Sequence, residues 1–241
     1  MTVPRLTTAL TGPLQELERQ ILKATPDIEH WLRSQWQDHA APFYASVDLR
    51  NSGFKLAPVD TNLFPGGFNN LNPDFHTLCV QAAMTAIEKA CPEAHGIVLV
   101  PENHTRNQFY LQNVEKLAAI LRHAGVEVRI GSLLPEITAP TELALPDGAT
   151  LLLEPLRREG NRLKVADFDP CVVLLNNDLS GGVPAILQGL EQTVLPPVMA
   201  GWATRRKSAH FAAYDDVTRE FAQLIGIDPW VINPYFEKCG K

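Results

Sequence analysis

The chain has 241 residues, of which 45% are hydrophobic and 20% charged, and a formal net charge of −6 with a pI near 5.6. This is the composition of a globular protein with a sizeable core, and its acidic balance argues against nucleic acid as a partner, because a phosphate-binding patch would have to work against the overall field. No apolar run of about 18 residues occurs, and the first twenty residues turn polar too early for a signal peptide, so neither a membrane span nor export is expected and the cytoplasm is the expected location.

Pro13 opens a helical pattern that places Leu14, Leu17, Ile21 and Leu22 on one face, and Thr25-Pro26-Asp27 ends it and caps a second short helix. The segment "FYASVDL" is strand-like and leads into the stretch from Val47 to Leu71, which has no sustained period of 2 or 3.6. That stretch mixes Asn51, Asn62, Asn69 and Asn70, the basic Arg50 and Lys55 and the acidic Asp48 and Asp60 with Phe54, Phe64 and Phe68. Three Phe do not suit a flexible linker and four Asn do not suit a packed strand, so an ordered loop with a binding role is expected. Arg50 and Lys55 can neutralise carboxylates, Asp60 can hold an ammonium group, and the Asn amides can donate and accept. The bland alternative pairs Arg50 with Asp48 or Asp60 and spends the Asn side chains on their own loop.

Asn72-Pro73-Asp74 starts a helix running to about Ala90. "GIVLVP", the helix "TRNQFYLQNVEKLAAILRHAG" and "VEVRIG" then form a strand, a crossover and a strand, which implies a parallel sheet covered on both faces. "ATLLLEPLRREGNRLKVADF" reads as a hairpin turning at Glu159-Gly160-Asn161, "CVVLLNNDLSGGVPAILQGL" as a strand, a polar loop and a short helix from near Pro184, and "AYDDVTREFAQLIG" as a final helix. The fold class is α/β, a mainly parallel sheet with flanking helices, two amino-terminal helices and a β-hairpin insertion.

In such sheets ligands bind beyond the carboxyl ends of the strands. Three polar loops are expected there: the one after "SVDLR", Pro101 to Asn107, and Asn176 to Gly182. We expect Asn62, Asn103 and Asn177 to share one edge of the sheet. The Gly-rich third loop matches no phosphate-binding spacing, and His104 has no partner at metal or triad spacing, so a solvated or loop-capping role is expected for it. Arg205, Arg206 and Lys207 are either a solvated face or a clamp for an anionic substrate. Cys79, Cys91, Cys171 and Cys239 have neither metal nor framework spacing, so reduced thiols are expected. No nucleophile, general base or metal site can be defended. Trp230, Val231, Ile232, Tyr235 and Phe236 put an apolar cluster near the last residue, where chain ends are usually polar.

The blocks "SVDLRNSGFKLAPVDTNLFPGGFNNL", "VPENHTRNQFYLQNV", "LLNNDLSGGVP", "GWATRRKSAHF" and "WVINPYFEKCG" together resemble the proteobacterial-type glutamate–cysteine ligases, a divergent family related to the ATP-grasp ligases. The resemblance implies ATP-dependent joining of the γ-carboxylate of L-glutamate to the amino group of L-cysteine, with a pre-ATP-grasp-like α/β domain supplying part of the substrate pocket. It implies substrate-binding positions at Arg50, Asn51, Lys55, Asp60, Asn62, Asn69 and Asn70, with Asn177, Asp178, Arg205 and Arg206 beside them. ATP and Mg²⁺ are expected mainly from a later portion, since family members are longer, and these residues alone are expected to be inactive. The implied organisation is a helical segment over 1–42, a substrate-binding domain over 43–228 and, over 229–241, the start of a connection to an ATP-grasp domain. Glutamate and cysteine are the expected partners, and a homo-oligomer is allowed. The competing class is a non-catalytic α/β module that captures an acidic metabolite or a protein partner.

Overall fold

The computed structural model describes residues 12–92 and 96–234. The chain divides into two compact units, one made of residues 1–62 with 205–241 and the other of residues 63–204. In this division the first strands and the last helix group with the amino-terminal helices.

Unit 1 holds helices α1 (Gly12–Lys23) and α2 (Thr25–Asp38), strands β1 (Ser46–Asn51) and β2 (Leu56–Asn62), and helix α5 (Lys207–Ile225). Leu14 and Leu17 on α1 are buried, as their spacing requires. α2 meets α5 through the Trp31 ring, 5.5 Å from Phe221, and through the Trp31 indole N–H, which donates to the Glu220 carboxylate. β1 and β2 pair antiparallel in a sheet of their own. The expected strand-end loop of the parallel sheet is thus corrected: Val47 to Asn62 is a separate hairpin. The signal is weak because β2 carries Pro58 and Asp60, types that strands avoid. A two-stranded sheet, which has only edges, tolerates the proline, and the register shifts beside it between Asp48 and Leu49.

Unit 2 is a seven-stranded sheet with helices α3 (His76–Ala90) and α4 (Gln108–His123). Its strands are β3 (Gly96–Pro101), β4 (Glu127–Ser132), β5 (Thr141–Ala144), β6 (Thr150–Glu159), β7 (Arg162–Val165), β8 (Val172–Asn176) and β9 (Thr193–Leu195). The path is β5-β6-β4-β3-β8-β9, with β7 paired to β6. β3 runs parallel to both β4 and β8, and the β6–β7 pair is the expected hairpin. β3 and β8 are buried at every position, so neither face of the central strands meets water. Val98, Val100, Val173 and Leu175 on one face pack with Leu163 and Val165 of β7, Phe64 and Leu179. β4 and β6 are cross-linked by Arg129, whose Nε donates to Glu154 Oε2 at 2.7 Å while its other arm reaches Oε1. Where a helix was expected after Pro184 there is only a single 3-10 turn, Ala185–Leu187.

The expectation of reduced thiols is corrected for one pair: Cys91 and Cys171 form a disulfide with Cα atoms 6.4 Å apart. Cys91 ends α3, and Cys171 precedes β8, the neighbour of β3, so the fold joins residues separated by 80 positions that sequence spacing could not relate. Cys79 is free and half-buried, and Cys239 lies outside the described residues. Of the apolar carboxyl-terminal cluster, Tyr235 and Phe236 also lie outside them, while Val231 and Ile232 are half-buried and Trp230 is 47% exposed.

Candidate functional site

The parallel sheet creates one privileged place. From β3 the chain crosses through α4 to β4 on one side, and from β8 it goes on to β9 on the other, so connections diverge between β3 and β8. A crevice forms beyond the carboxyl ends of two such strands because their following loops turn away from each other. Here those loops are Glu102 to Asn107 and Asn177 to Pro184, and between them lies a cavity of about 420 Å³ lined by Glu102, Asn103, Asn177 and Gly181, with Leu133 and Ile186 as apolar walls. An open recess of about 210 Å³ shares Leu133 and Ile186 and is lined further by Ser132, Pro135, Ile137, Pro155 and Leu156. On the other side a cavity of about 550 Å³ shares Asn103 and adds Arg106 and Glu136.

The loops are held by their own polar side chains. Asn177, 7% exposed, donates from Nδ2 to the Pro101 carbonyl at 3.2 Å and accepts from the Leu179 N–H at 3.0 Å, tying the β8 loop to the end of β3. Asp178 accepts from the Ser180 N–H at 2.9 Å, and its own N–H donates to Glu102 Oε1 at 2.6 Å. Glu102 is half-buried; burial pushes its carboxyl up, the Asp178 charge adds to that, and the Asp178 N–H and His104 oppose it. Glu102 was not singled out from the sequence. The available signal was an acid directly after a wholly apolar strand, where sheet topology delivers it to a crevice.

Beneath the cavity lies a second network. Asn176, 2% exposed, donates to the Pro65 carbonyl at 2.8 Å and accepts at Oδ1 from the Tyr110 hydroxyl at 3.0 Å and from Asn113 Nδ2 at 3.4 Å. Asn113 in turn accepts from the Phe68 N–H at 2.8 Å. This is what holds the segment after β2 in place: its backbone bonds to amides on β8 and α4. Asn69 and Asn70 sit beside Phe68 in a 3-10 turn, Phe68–Asn70, entered through Gly67, whose φ of 84° suits glycine. His104 lies edge-on to Tyr110, and its carbonyl accepts from the Asn107 N–H at 3.2 Å, a loop-closing contact.

In unit 1 the structure brings Asp60 together with the basic run. Lys207 Nζ lies 3.0 Å from Asp60 Oδ2, and Arg205 donates from Nη2 to the Thr61 carbonyl at 2.6 Å. His210 packs beside them, and burial, then the Arg205 charge, push its imidazole down against the opposing pull of Asp60. Arg206 caps the start of α5 and is exposed. Around the hairpin turn Asn51 accepts from the Gly53 N–H at 2.8 Å, spending its oxygen locally. Lys55 Nζ sits 4.8 Å from the Trp230 ring centre, and Phe54 stacks on Trp230 at 5.7 Å. Arg50 faces solvent on β1 opposite Ala57 and forms no ion pair among the described residues, so neither Asp48 nor Asp60 neutralises it; Asn62 ends β2 opposite Ser46. Asn103 and Asn177 thus share a cavity as expected, whereas Asn62 ends a strand of the separate β1–β2 sheet and so does not follow a strand of the parallel sheet.

Comparison with known proteins gives these sites a context. The model of the GshA glutamate-cysteine ligase family matches residues 18–241. The whole chain superposes, with a TM-score of 0.93 and 70% identity, on a crystal structure from Methylobacillus flagellatus KT named as a candidate gamma-glutamylcysteine synthetase, and it spans 57% of that protein's length. No curated protein matches. The α/β fold, the match over nearly the whole described chain and the relative at 70% identity agree, and this chain belongs to the glutamate-cysteine ligase family.

Proposed function

We infer that the protein takes part in the ATP-dependent ligation of the γ-carboxylate of L-glutamate to the amino group of L-cysteine, the first step of glutathione biosynthesis, and that these residues supply substrate-binding groups. The observation that carries this reading is the family match over residues 18–241. The site chemistry supports it: an amide-rich crevice at the strand switch point, and a solvent-facing Arg50 with no ion pair among the described residues. Arg50, Lys55, Arg205 and Arg206 are the groups we assign to substrate carboxylates, and Asp60, Asn51, Asn62, Asn69 and Asn70 are those we assign to the other polar groups of the substrates.

A ligase of this kind needs ATP to convert a carboxylate into an acyl phosphate and magnesium to balance the phosphate charge. The described residues do not fit magnesium, because among them no three His, Cys, Asp or Glu side chains converge. In this reading ATP and the metal are held by other residues, as in a protein of the length of the Methylobacillus relative. No helix among the described residues is long and apolar enough to cross a membrane, and a cytoplasmic location, where ATP is supplied, is part of the proposal.

The test is steady-state formation of γ-glutamylcysteine by the protein as its gene encodes it, compared with the Arg50→Ala variant. Product should form only with ATP, glutamate and cysteine together. The variant should raise KM for glutamate about tenfold, equivalent to ~1.4 kcal/mol. Absence of product refutes the function; an unchanged KM removes Arg50 from the site.

A further inference from the structure

The switch-point cavity has a charge pattern of its own. No Lys, Arg or His lines it; the one basic group that acts on its carboxylate is His104, outside the lining and a minor influence. Its one ionisable lining side chain is Glu102, whose Oε1 accepts from the Asp178 N–H; Oε2 has no hydrogen bond among the described residues. A half-buried carboxylate oxygen in a cavity lined by no Lys, Arg or His selects a cationic donor, and the lack of a second carboxylate in the lining favours a single N–H⁺ group over a metal ion. The cavity's other walls are amide and apolar. Beyond Leu133 and Ile186 the recess offers room for a small uncharged side chain, and on the other side of Asn103 the adjoining cavity presents Arg106.

We propose that this cavity binds the acceptor α-amino acid of the ligation, with Glu102 receiving its ammonium group, the Leu133–Ile186 recess its small side chain and the Arg106 side of Asn103 its carboxylate. The assignment rests on the ligase reading for the identity of the acceptor as cysteine. The cavity itself asks only for an α-amino acid with a small, uncharged side chain. It also separates the two substrates by chemistry. Both substrates carry an α-ammonium group, but the side-chain carboxylate of glutamate would meet no Lys, Arg or His in the lining of the cavity or the recess. The raised affinity of Glu102 for protons agrees with this arrangement, because an ammonium partner restores the ionised form that burial disfavours.

The experiment uses the protein as encoded by its gene and isothermal titration with L-2-aminobutyrate, which keeps the ammonium group and has no thiol, with and without saturating L-glutamate. Butyrate, which lacks the ammonium group, is the control ligand. Glu102→Gln keeps an oxygen for the Asp178 N–H and so preserves the loop; its thermal unfolding is measured alongside. Affinity for L-2-aminobutyrate should fall at least tenfold in Glu102→Gln, and wild type should bind butyrate at least tenfold more weakly than L-2-aminobutyrate. Ile186→Phe, which fills the recess, should weaken L-2-aminobutyrate at least fivefold more than it weakens glycine. In steady-state assays Glu102→Gln should raise KM for cysteine and leave KM for glutamate within twofold. Equal affinity in wild type and Glu102→Gln, equal binding of butyrate, or no binding by wild type in either condition overturns the assignment. A protein that binds L-2-aminobutyrate through Glu102 yet forms no γ-glutamylcysteine keeps the cavity assignment and loses the ligase reading.

Discussion

Replacing Asn176 by alanine should destabilise unit 2 strongly while leaving its surface unchanged. Three hydrogen bonds vanish: to the Pro65 carbonyl at 2.8 Å, from the Tyr110 hydroxyl at 3.0 Å and from Asn113 Nδ2 at 3.4 Å. Their loss is unequal. The Tyr110 hydroxyl keeps the Asn176 carbonyl at 2.8 Å and is not orphaned. The Pro65 carbonyl and the Asn113 amide keep no replacement, and Asn113 is 2% exposed, so water does not reach it easily. At ~1–3 kcal/mol for each buried group left unsatisfied, the change costs about 4 kcal/mol, a large share of a typical net stability of ~5–15 kcal/mol. Urea unfolding followed by circular dichroism measures it. With a slope of ~2–3 kcal/mol per molar, the midpoint should fall by about 1.5 M at unchanged slope. Asn113→Ala removes the same link from the other side, so the double variant should cost less than the sum of the two singles. A midpoint drop below about 0.5 M, or strict additivity, would refute the idea that this network holds the strand-end loops.

Glu102→Gln should stabilise the protein at neutral pH. Because burial raises the folded carboxyl above its unfolded value of ~4.3, the folded state holds the proton more tightly, and wild-type stability falls as pH rises from that value through the folded one. The variant lacks this loss, so its melting temperature should exceed that of wild type at pH 7 and converge with it near pH 4; a constant difference across that range would count against a strained carboxylate. Trp230→Ala removes the stack on Phe54 and the Lys55 contact, worth ~1–2 kcal/mol together. Exchange of the Ser52 amide, which closes the hairpin turn onto the Lys55 carbonyl at 3.0 Å, should speed up roughly 5–30-fold, and unaltered exchange would show that the aromatic pair does not hold the turn.

Legibility in the sequence followed the strength of local signals. The β3–α4–β4 unit could be read because each element is a long, unmixed pattern: six buried residues in β3 and seven on one side of α4. The β1–β2 hairpin could not, because Pro58, Asp60 and a register shift hide its alternation, and its stability comes from neighbours distant in sequence such as Trp230. At the site, Asn177 and Asp178 were legible as polar residues after an apolar strand, but Glu102 was passed over, since its environment depends on Asp178, 76 residues away. The same holds for Asn113, an ordinary polar residue of an amphipathic helix until Asn176 and Phe68 are brought to it. Long-range polar pairing leaves no periodic trace.

The division of unit 1 between the two ends of the chain sets an order of events during synthesis. Residues 63–204 leave the ribosome as one continuous stretch carrying a complete sheet, which can close as soon as β9 has emerged. α2 has no such opportunity: the Trp31 indole waits for Glu220, 189 positions later, which at ~5–20 residues per second is a delay of roughly 10–40 s. During that interval Trp31 lacks both Glu220 and Phe221, so its ring is open to nascent-chain chaperones. The later unit in space therefore begins with the earliest residues in time.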